Sequence, residues 1–352
     1  MILWWIKYKE LIRVSGILIM KTLFATALLS FSITVSAADK PIGIVIHGGA
    51  GTISRTTMTE QQEQAYHVML KHAVEQGYAV LERGGSSVEA VTAAVIVLED
   101  SPLFNAGKGA VYTYDETHEL DASIMDGRDR NAGAVAGVTN VKNPILLARA
   151  VMEKSVHVML AGTGAEQFAK EQQLELVDNR YFDTEFRYEA LKRAKQAMSP
   201  QPHQAAVPYD PAWKMGTVGA VAIDRSGNLA AATSTGGMTA KRYGRIGDAP
   251  VIGAGNFADN NSCAVSATGH GEYFIRYQVA SEICSRAKYQ NKSAQAAAKE
   301  VITELKQVGG DGGVIVADKN GRLSWVFNTE GMYRAMKTEG KDAISEIFAD
   351  GE

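Results

Sequence analysis

The sequence lacks the motifs that mark several common enzyme classes. It has no G-x-S-x-G segment, which α/β-hydrolases need, and no G-x-x-x-x-G-K-[ST] loop for nucleotide phosphates. Its seven histidines show no H-E-x-x-H spacing, and the acidic turn from Asp126 to Asn131 lacks the glutamate that closes a calcium loop. Serine-elbow, nucleotide, zinc and calcium chemistry therefore have no support.

A basic stripe is also missing. The chain has 36 Lys and Arg against 39 Asp and Glu, a net charge of −3, with no run of basic residues. Phosphate backbones require such a stripe, so no nucleic-acid partner is expected. The 352 residues are 46% hydrophobic, which is enough for a large core.

Cysteine is scarce, because Cys263 and Cys284 are the only two. A protein of this size needs no covalent staple. We therefore expect two buried free thiols, although an oxidising compartment would allow a disulfide.

The N-terminus has the order of a secretory signal. A Met-Lys pair at 20–21 is followed by an apolar stretch over 22–35 and by small residues at 36–38. We predict a signal peptide over 1–38, with Met20 as the true start, and a periplasmic or secreted mature protein. The apolar stretch is short for a membrane span, so no stable membrane insertion is expected; a retained anchor is the alternative.

The rest of the chain alternates helices with pairs of strands. Glycine-containing turns such as Asp224–Asn228 favour antiparallel hairpins. Two facing sheets with helices outside both would fit this order. The predicted strands cover 42–46, 120–125, 133–138, 156–160, 217–223, 229–234 and 263–267, and the last two cover 313–317 and 323–327. The predicted helices cover 59–83, 87–99, 144–153, 272–289 and 293–306.

A polar, proline-containing section divides the two halves. Its later part, from about 199 to 216, is typical of a mobile linker. Thr217 begins a strand directly after it. A β-branched residue in a strand is ordinary by itself, so its meaning depends on the neighbouring motifs.

Five short motifs accompany Thr217. They are His47-Gly48-Gly49-Ala50-Gly51, Leu103-Phe104-Asn105-Ala106-Gly107-Lys108-Gly109, Ala232-Thr233-Ser234-Thr235-Gly236-Gly237-Met238-Thr239, Gly244-Arg245-Ile246-Gly247-Asp248-Ala249-Pro250 and Ala267-Thr268-Gly269-His270-Gly271-Glu272. In this order they resemble the isoaspartyl peptidase/L-asparaginase family, the plant-type asparaginases among the N-terminal nucleophile hydrolases. The resemblance runs from about Pro41 to Arg334.

The resemblance implies an α+β fold, a four-layer αββα sandwich of the N-terminal nucleophile hydrolase type. It also implies a threonine peptidase that cuts its own chain between Gly216 and Thr217. An α chain (39–216) and a β chain (217–352) would then build one domain and pair into a dimer of αβ units. The implied substrates are isoaspartyl dipeptides and the side-chain amide of L-asparagine, with no cofactor for catalysis.

An N-terminal threonine combines two groups that such chemistry needs. Its hydroxyl is a weak nucleophile, and its free α-amino group, with a reference pKa of about 7.7–8.0, is a base close to working pH. The resemblance assigns Thr217 as nucleophile, Thr235 as its hydrogen-bond partner, Thr268 and Gly269 as the oxyanion pair, and Asn105 as their support. Ordinary hairpin and loop positions are the alternative interpretation of these residues.

The implied substrate-binding residues are Arg245, Asp248, Gly269 and Gly271. A fork-shaped guanidinium suits the α-carboxylate of an amino acid, and a carboxylate suits its α-ammonium. A surface ion pair between Arg245 and Asp248 is the alternative. His270 stands where family members often carry a small hydroxyl or acidic residue, which leaves the leaving-group side open.

The segment 98–108 resembles the family's sodium loop, in which backbone carbonyls hold a structural sodium ion. The implied ligands are Leu98, Glu99, Ser101, Phe104, Ala106 and Lys108. Carbonyl ligands leave almost no side-chain pattern, so a simple turn is the alternative interpretation.

Two other functions stay open at this point. A glycosylasparaginase would share the nucleophile and much of the substrate clamp. A non-catalytic periplasmic binding protein would use Arg245 and Asp248 to hold an amino acid, but it would have no use for cleavage before Thr217.

Overall fold

The computed structural model describes residues 40–198 and 216–349. The predicted signal peptide with its start at Met20, and nearly all of the predicted linker, lie outside these residues. No helix within the described ranges is long and apolar enough to cross a membrane.

The helices begin where the sequence supplies start signals. The described helices are α1 (Glu60–Glu82), α2 (Ser87–Glu99), α3 (Pro144–Lys154), α4 (Gly162–Glu171), α5 (Glu185–Met198), α6 (Gly271–Tyr277), α7 (Val279–Tyr289) and α8 (Ala294–Gln307), with short 3-10 turns at Arg55–Thr57, Gly107–Gly109 and Asn179–Phe182. Thr59 with Gln62 and Ser86 with Glu89 form capping boxes at α1 and α2. Pro144 opens α3, where its missing N–H costs nothing.

The strands form two sheets. They are β1 (Gly43–Gly51), β2 (Leu120–Asp126), β3 (Ala132–Val138), β4 (Met159–Ala161), β5 (Val218–Ile223), β6 (Leu229–Thr235), β7 (Asn256–Ala258), β8 (Cys263–Gly269), β9 (Gly312–Asp318), β10 (Leu323–Phe327), β11 (Gly331–Thr338) and β12 (Ile344–Phe348). The larger sheet has the order β12-β11-β1-β5-β6-β2-β3-β4, and the smaller has the order β10-β9-β8-β7. Neighbouring strands are antiparallel except for β3 and β4.

The larger sheet is buried on both faces. In β1, Ile44 packs with the core under α1 and α2, while the next residue, Val45, packs in the core between the two sheets. The core between the sheets continues under the helices that cover the smaller sheet, where Val301 of α8 joins it. This alternation explains the unbroken apolar runs of the central strands, since both of their faces avoid water. The result is the four-layer αββα sandwich that the sequence predicted.

Several predicted boundaries were wrong. Leu323–Phe327 is followed by two strands that were not predicted: β11 pairs with β1, and β12 pairs with β11 at the edge of the larger sheet. The helix predicted over 272–289 is broken at Gln278, whose φ of +49° cannot continue an α-helix. The predicted strand over 156–160 begins only at Met159, and the polar section from 167 contains α5.

The expectation of two free thiols was also wrong. Cys263 and Cys284 form a disulfide between β8 and α7, with their Cα atoms 5.4 Å apart. This separation suits a disulfide. The packing of α7 on the smaller sheet brings the two residues together, and a count of cysteines in the sequence does not reveal such packing.

Candidate active site

Gly216 and Thr217 lie at the start of β5, against the glycine-rich end of β1. Gly216 has a φ of +101° and Gly49 a φ of +118°, values that L side chains rarely adopt. A Cβ atom on Gly49 would lie 2.3 Å from the Cα atom of Gly216. The close approach of these two backbone segments therefore requires glycine in the His-Gly-Gly run.

The Thr217 hydroxyl is held by Thr235. Thr217 Oγ1 donates a hydrogen bond to Thr235 Oγ1 at 3.1 Å, and the backbone N–H of Gly237 donates to the same oxygen at 3.0 Å. Thr235 is buried at the end of β6, the strand beside β5. These contacts orient the Thr217 hydroxyl at the start of β5, a central strand of the larger sheet.

Asn105 holds the turn that follows Thr235. Its side-chain Nδ2 donates to the carbonyl of Gly237 at 2.7 Å, and its Oδ1 accepts from the N–H of Val111 at 2.9 Å. A Cβ atom on Gly216 would lie 3.4 Å from the Cβ of Asn105. Asn105 is thus adjacent both to Gly216 and to the partner of Thr217.

Thr268 and Gly269 end strand β8 of the facing sheet. Within the described part of the chain, the buried Thr268 Oγ1 has no hydrogen-bond partner. A buried polar group left in this state costs about 1–3 kcal/mol. The hydroxyl is therefore available for an oxygen atom of a bound molecule.

Arg245, Asp248 and Gly271 come together as the sequence motifs implied. A Cβ atom on Gly271 would lie 2.8 Å from Arg245 Nη2 and 3.0 Å from Asp248 Oδ1. Among the residues that the structure describes, the buried Oδ2 of Asp248 has no hydrogen-bond partner. Burial raises the pKa of Asp248 to about 7, although the charge of Arg245 opposes this effect. A bound ammonium group would supply the missing hydrogen bond and favour the charged carboxylate.

Glu272 orients Arg245 and was not predicted. Arg245 donates to it through Nε and Nη2, at 3.0 Å each, in a two-pronged contact. Burial alone would raise the pKa of Glu272, but the hydrogen bonds and charge of Arg245 lower it overall. His270 lies against the same carboxylate, with Nε2 3.4 Å from Glu272 Oε2. The acidic residue directly after Gly271 was the available sequence signal.

The segment 98–108 folds back on the C-terminal end of α2. A Cβ atom on Gly107 would lie 2.3 Å from the carbonyl oxygen of Glu99. The carbonyls of Phe104 and Ala106 each accept one backbone hydrogen bond, which leaves each a second lone pair. The carbonyl of Leu98 already accepts from the N–H groups of Asp100 and Ser101. Carbonyl oxygens suit a hard cation, so Phe104 and Ala106 fit the implied sodium ligands better than Leu98 does.

The side chain of Glu99 joins this segment to β6. Its Oε1 accepts hydrogen bonds from Ser234 Oγ at 2.6 Å and from the N–H of Ile145 at 3.0 Å. Burial raises the pKa of Glu99 to about 8. Ser234 is the residue before Thr235, so the segment is connected to the strand that carries the partner of Thr217.

A cavity of about 510 Å³ lies on the Gly216 side of the site. Tyr66, Leu103 and Tyr333 line it and also line a smaller pocket that reaches Gly216. Arg245 and Asp248 do not line either space. Arg245 and Asp248 are therefore separate from this largely apolar cavity.

Three buried polar residues behind Thr217 were also missed as site residues. They are His47, Ser266 and Thr233, all 0% exposed. Ser266 and Thr233 each stand two positions before a predicted site residue, Thr268 and Thr235, in strands that begin with apolar residues. Hydroxyl residues spaced two apart in a buried strand share one face, and this pattern was the available signal.

Known proteins match nearly the whole described chain. A family model described as asparaginase matches residues 40–347. The isoaspartyl peptidase of Escherichia coli (strain K12) is 51% identical over 308 residues, which cover 87% of this chain and 96% of that protein. The isoaspartyl peptidase/L-asparaginase of Xenopus laevis is 45% identical, covering 83% and 91%, and that of Homo sapiens is 42% identical, covering 86% and 94%.

Proposed function

The chain belongs to the asparaginase family, and on this premise we propose that it hydrolyses isoaspartyl dipeptides and the side-chain amide of L-asparagine after cutting itself before Thr217. The observation that carries the proposal is the geometry at Thr217. Its hydroxyl is oriented by Thr235, and the residue before it is a glycine packed on the backbone of Gly49.

The proposed self-cleavage uses the Thr217 hydroxyl. Thr217 Oγ1 attacks the carbonyl carbon of Gly216, the bond from that carbon to the Thr217 nitrogen breaks, and an ester forms while the hydroxyl proton passes to the departing nitrogen. Water then hydrolyses the ester. The products are an α chain ending at Gly216 and a β chain whose first residue has both a hydroxyl and a free amine. Glycine at 216 supports this step because a residue without Cβ leaves its carbonyl accessible.

The amidohydrolase reaction repeats this chemistry on a substrate. The amine of Thr217 accepts the hydroxyl proton as Oγ1 attacks the side-chain carbonyl of the substrate. Thr268 Oγ1 and the N–H of Gly269 donate hydrogen bonds to the resulting oxyanion. The protonated amine gives its proton to the departing ammonia or amino acid, and water hydrolyses the β-aspartyl ester on Thr217.

Substrate binding is assigned to the charged clamp. Arg245 takes the α-carboxylate and Asp248 takes the α-ammonium, with Gly269 and Gly271 leaving room for the substrate backbone. The unpartnered oxygen of Asp248, among the described residues, supports this assignment, because an ammonium ligand satisfies it.

A structural sodium ion is proposed at the carbonyls of Leu98, Glu99, Ser101, Phe104, Ala106 and Lys108. The ion would stabilise the loop that carries Asn105. It takes no part in the reaction, for which no cofactor is proposed.

Export and assembly complete the proposal. A signal peptide over 1–38, with Met20 as its start, would direct the chain to the periplasm or medium. The Cys263–Cys284 disulfide supports this location, since disulfides persist in oxidising compartments. The α and β chains would stay together as one domain and form a dimer of αβ units.

Intact mass spectrometry with N-terminal sequencing tests the proposal. The wild type is expected to yield a chain beginning at Thr217, and Thr217→Ala is expected to stay uncut and inactive. Release of aspartate from L-asparagine and from an isoaspartyl dipeptide measures the substrate preference. Normal cleavage of Thr217→Ala, or a wild type that never hydrolyses either substrate, would refute the proposed function.

A further inference from the structure

We propose that His47 is a positioning residue that holds Thr217 by its backbone carbonyl. It would thereby align the nucleophile with β1 and β6, the two strands that pair with β5. The inference rests on the proposed function for its catalytic consequence. Its structural basis is a chain of buried hydrogen bonds that connects three strands behind the site.

The two hydrogen bonds of His47 have one consistent direction. His47 Nδ1 lies 3.0 Å from the carbonyl oxygen of Thr217, and His47 Nε2 lies 2.9 Å from Ser266 Oγ. A carbonyl can only accept, so Nδ1 carries the proton and Nε2 accepts from Ser266. Thr233 Oγ1 accepts from Asn256 Nδ2 at 3.2 Å and lies between two acceptors, Ser266 Oγ at 2.7 Å and the carbonyl oxygen of Gly255 at 3.1 Å. The direction of this relay is therefore fixed from Ser266 through His47 to Thr217.

The imidazole of His47 is neutral. Its side chain has no exposure to solvent, and burial lowers its pKa to about 3, with the Thr217 carbonyl opposing the shift. A neutral ring with its proton fixed on Nδ1 can donate to Thr217 throughout the working pH range. His47 thus serves as a fixed donor and leaves the role of general base to the Thr217 amine.

Gly219 provides the space for this arrangement. It lies opposite His47 in the β1–β5 pairing. A Cβ atom on Gly219 would lie 2.0 Å from Ser266 Oγ and 2.6 Å from His47 Nε2. The absence of a side chain two residues after Thr217 is therefore a requirement of the relay.

The relay lies one side-chain layer behind the reacting groups. Ser266 is two positions before Thr268 on β8, and Thr233 is two positions before Thr235 on β6, so each pair shares a face. Cleavage removes the covalent bond on the N-terminal side of Thr217. The hydrogen bond from His47 then holds the new terminal residue by its carbonyl, while the amine and hydroxyl remain free to react.

Two substitutions of His47 separate the effect of its hydrogen bond to Thr217 from the effect of its packing in the core. In His47→Leu, kcat is expected to fall roughly 10- to 100-fold, because one buried hydrogen bond to the nucleophile is lost. KM should change by no more than about twofold, since His47 does not touch the substrate. His47→Asn places an amide N–H near the position of Nδ1 and should recover most of the lost kcat.

His67→Leu is the matched control. His67 also bonds a serine, with Nδ1 2.8 Å from Ser345 Oγ, but this bond joins helix α1 to the edge strand β12. This variant should keep wild-type kcat. Equal loss of kcat in His47→Leu and His47→Asn, or wild-type kcat in His47→Leu, would overturn the proposal.

Nitrogen-15 NMR of the wild-type ring tests the same inference without substrate. The His47 signal should show a proton on Nδ1 and none on Nε2, unchanged between about pH 5 and 8. The opposite tautomer, or titration in this range, would refute the relay. Because this readout does not require hydrolysis, it separates failure of the relay from failure of the proposed function.

Discussion

Behind Thr217 the buried side chains of His47, Ser266 and Thr233 are neutral and bonded to one another. The clamp of Arg245 and Asp248 instead consists of ionisable groups and, among the described residues, Asp248 Oδ2 lacks a partner. The first region resembles the ordinary interior of a protein, in which polar groups are satisfied. In the second, a buried oxygen without a hydrogen-bond partner costs free energy, and a ligand that donates to it would remove this cost. The comparison indicates that the side chains behind Thr217 hold its position, whereas the side chains around Asp248 have hydrogen-bonding capacity left for a ligand.

The largest effect on catalysis is expected from removing the charge of Arg245. Arg245→Ala should cut itself normally before Thr217 but lose kcat/KM by roughly 10²- to 10⁴-fold, because two charge-assisted hydrogen bonds to the substrate carboxylate disappear. Steady-state kinetics on the processed enzyme measures the loss.

Arg286→Ala is the matched control for Arg245. Arg286 makes a similar two-pronged contact with Glu304, at 2.7 Å for each bond, away from the site. It should leave kcat/KM unchanged. Equal turnover in Arg245→Ala and the wild type would remove Arg245 from the clamp.

Thr268→Val tests the hydroxyl assigned to the oxyanion. Loss of one such donor costs about 2.7–4 kcal/mol, so kcat should fall roughly 10²- to 10³-fold with little change in KM. Thr92→Val, which alters a buried threonine of α2 that bonds the carbonyl of Val88, should not affect kcat. A Thr268 variant with wild-type kcat would show that the oxyanion is stabilised elsewhere.

The next effect concerns the folding stability of the protein, which the buried carboxyl of Asp248 makes dependent on pH. Its folded pKa, about 7, is above the reference value of 3.8, so the protonated form favours folding and stability is lost as pH rises through this interval. Asp248→Asn should therefore be more stable than the parent at about pH 8, by roughly 2–4 kcal/mol, and equally stable near pH 4.

Urea unfolding of the uncut Thr217→Ala protein measures this difference on a single chain. Asp259→Asn provides a control of opposite sign. Burial opposes ionisation of Asp259, but hydrogen bonds from Asn261 and Lys288 lower its pKa overall. This second variant should be destabilised at about pH 8. Equal stability of Asp248→Asn and its parent at both pH values would contradict a buried, raised carboxyl.

The smallest effect is the pH dependence of substrate binding. In the proposed binding mode, the α-ammonium of asparagine requires the charged form of Asp248, which is depleted below a pKa of about 7. KM should rise by about tenfold from pH 8 to pH 6. A KM that stays constant over this range would show that Asp248 is ionised throughout or does not bind the ammonium group.

Much of the fold was accessible from the sequence. The central strands β5 and β6 were predicted within a residue or two, because unbroken apolar runs between glycine-rich turns leave few alternatives. Strands β11 and β12 were missed, since Arg334, Lys337 and Glu346 interrupt their apolar pattern. In the fold, Arg334 is buried and bonds Glu346 and the carbonyl of Phe348, which makes a charged residue compatible with a sheet.

The candidate site was accessible only in part. Motifs indicated Thr217, Thr235, Arg245 and Asp248, because their residue types match the chemistry that the family resemblance implied. They did not indicate His47 as the donor to Thr217 or Glu272 as the partner of Arg245. Those roles depend on which atoms face each other across strands and loops far apart in the chain.

The sequence by itself determined the alternation of helices and strands, the glycines that permit close backbone approach, and the supply of hydroxyl and charged groups. Tertiary structure decided the pairing of Cys263 with Cys284, the direction of the His47 hydrogen bonds and the raised pKa of Asp248. The physical reason is that local pattern sets backbone conformation and polarity. Burial, distance and hydrogen-bond partners arise only when separate segments pack together.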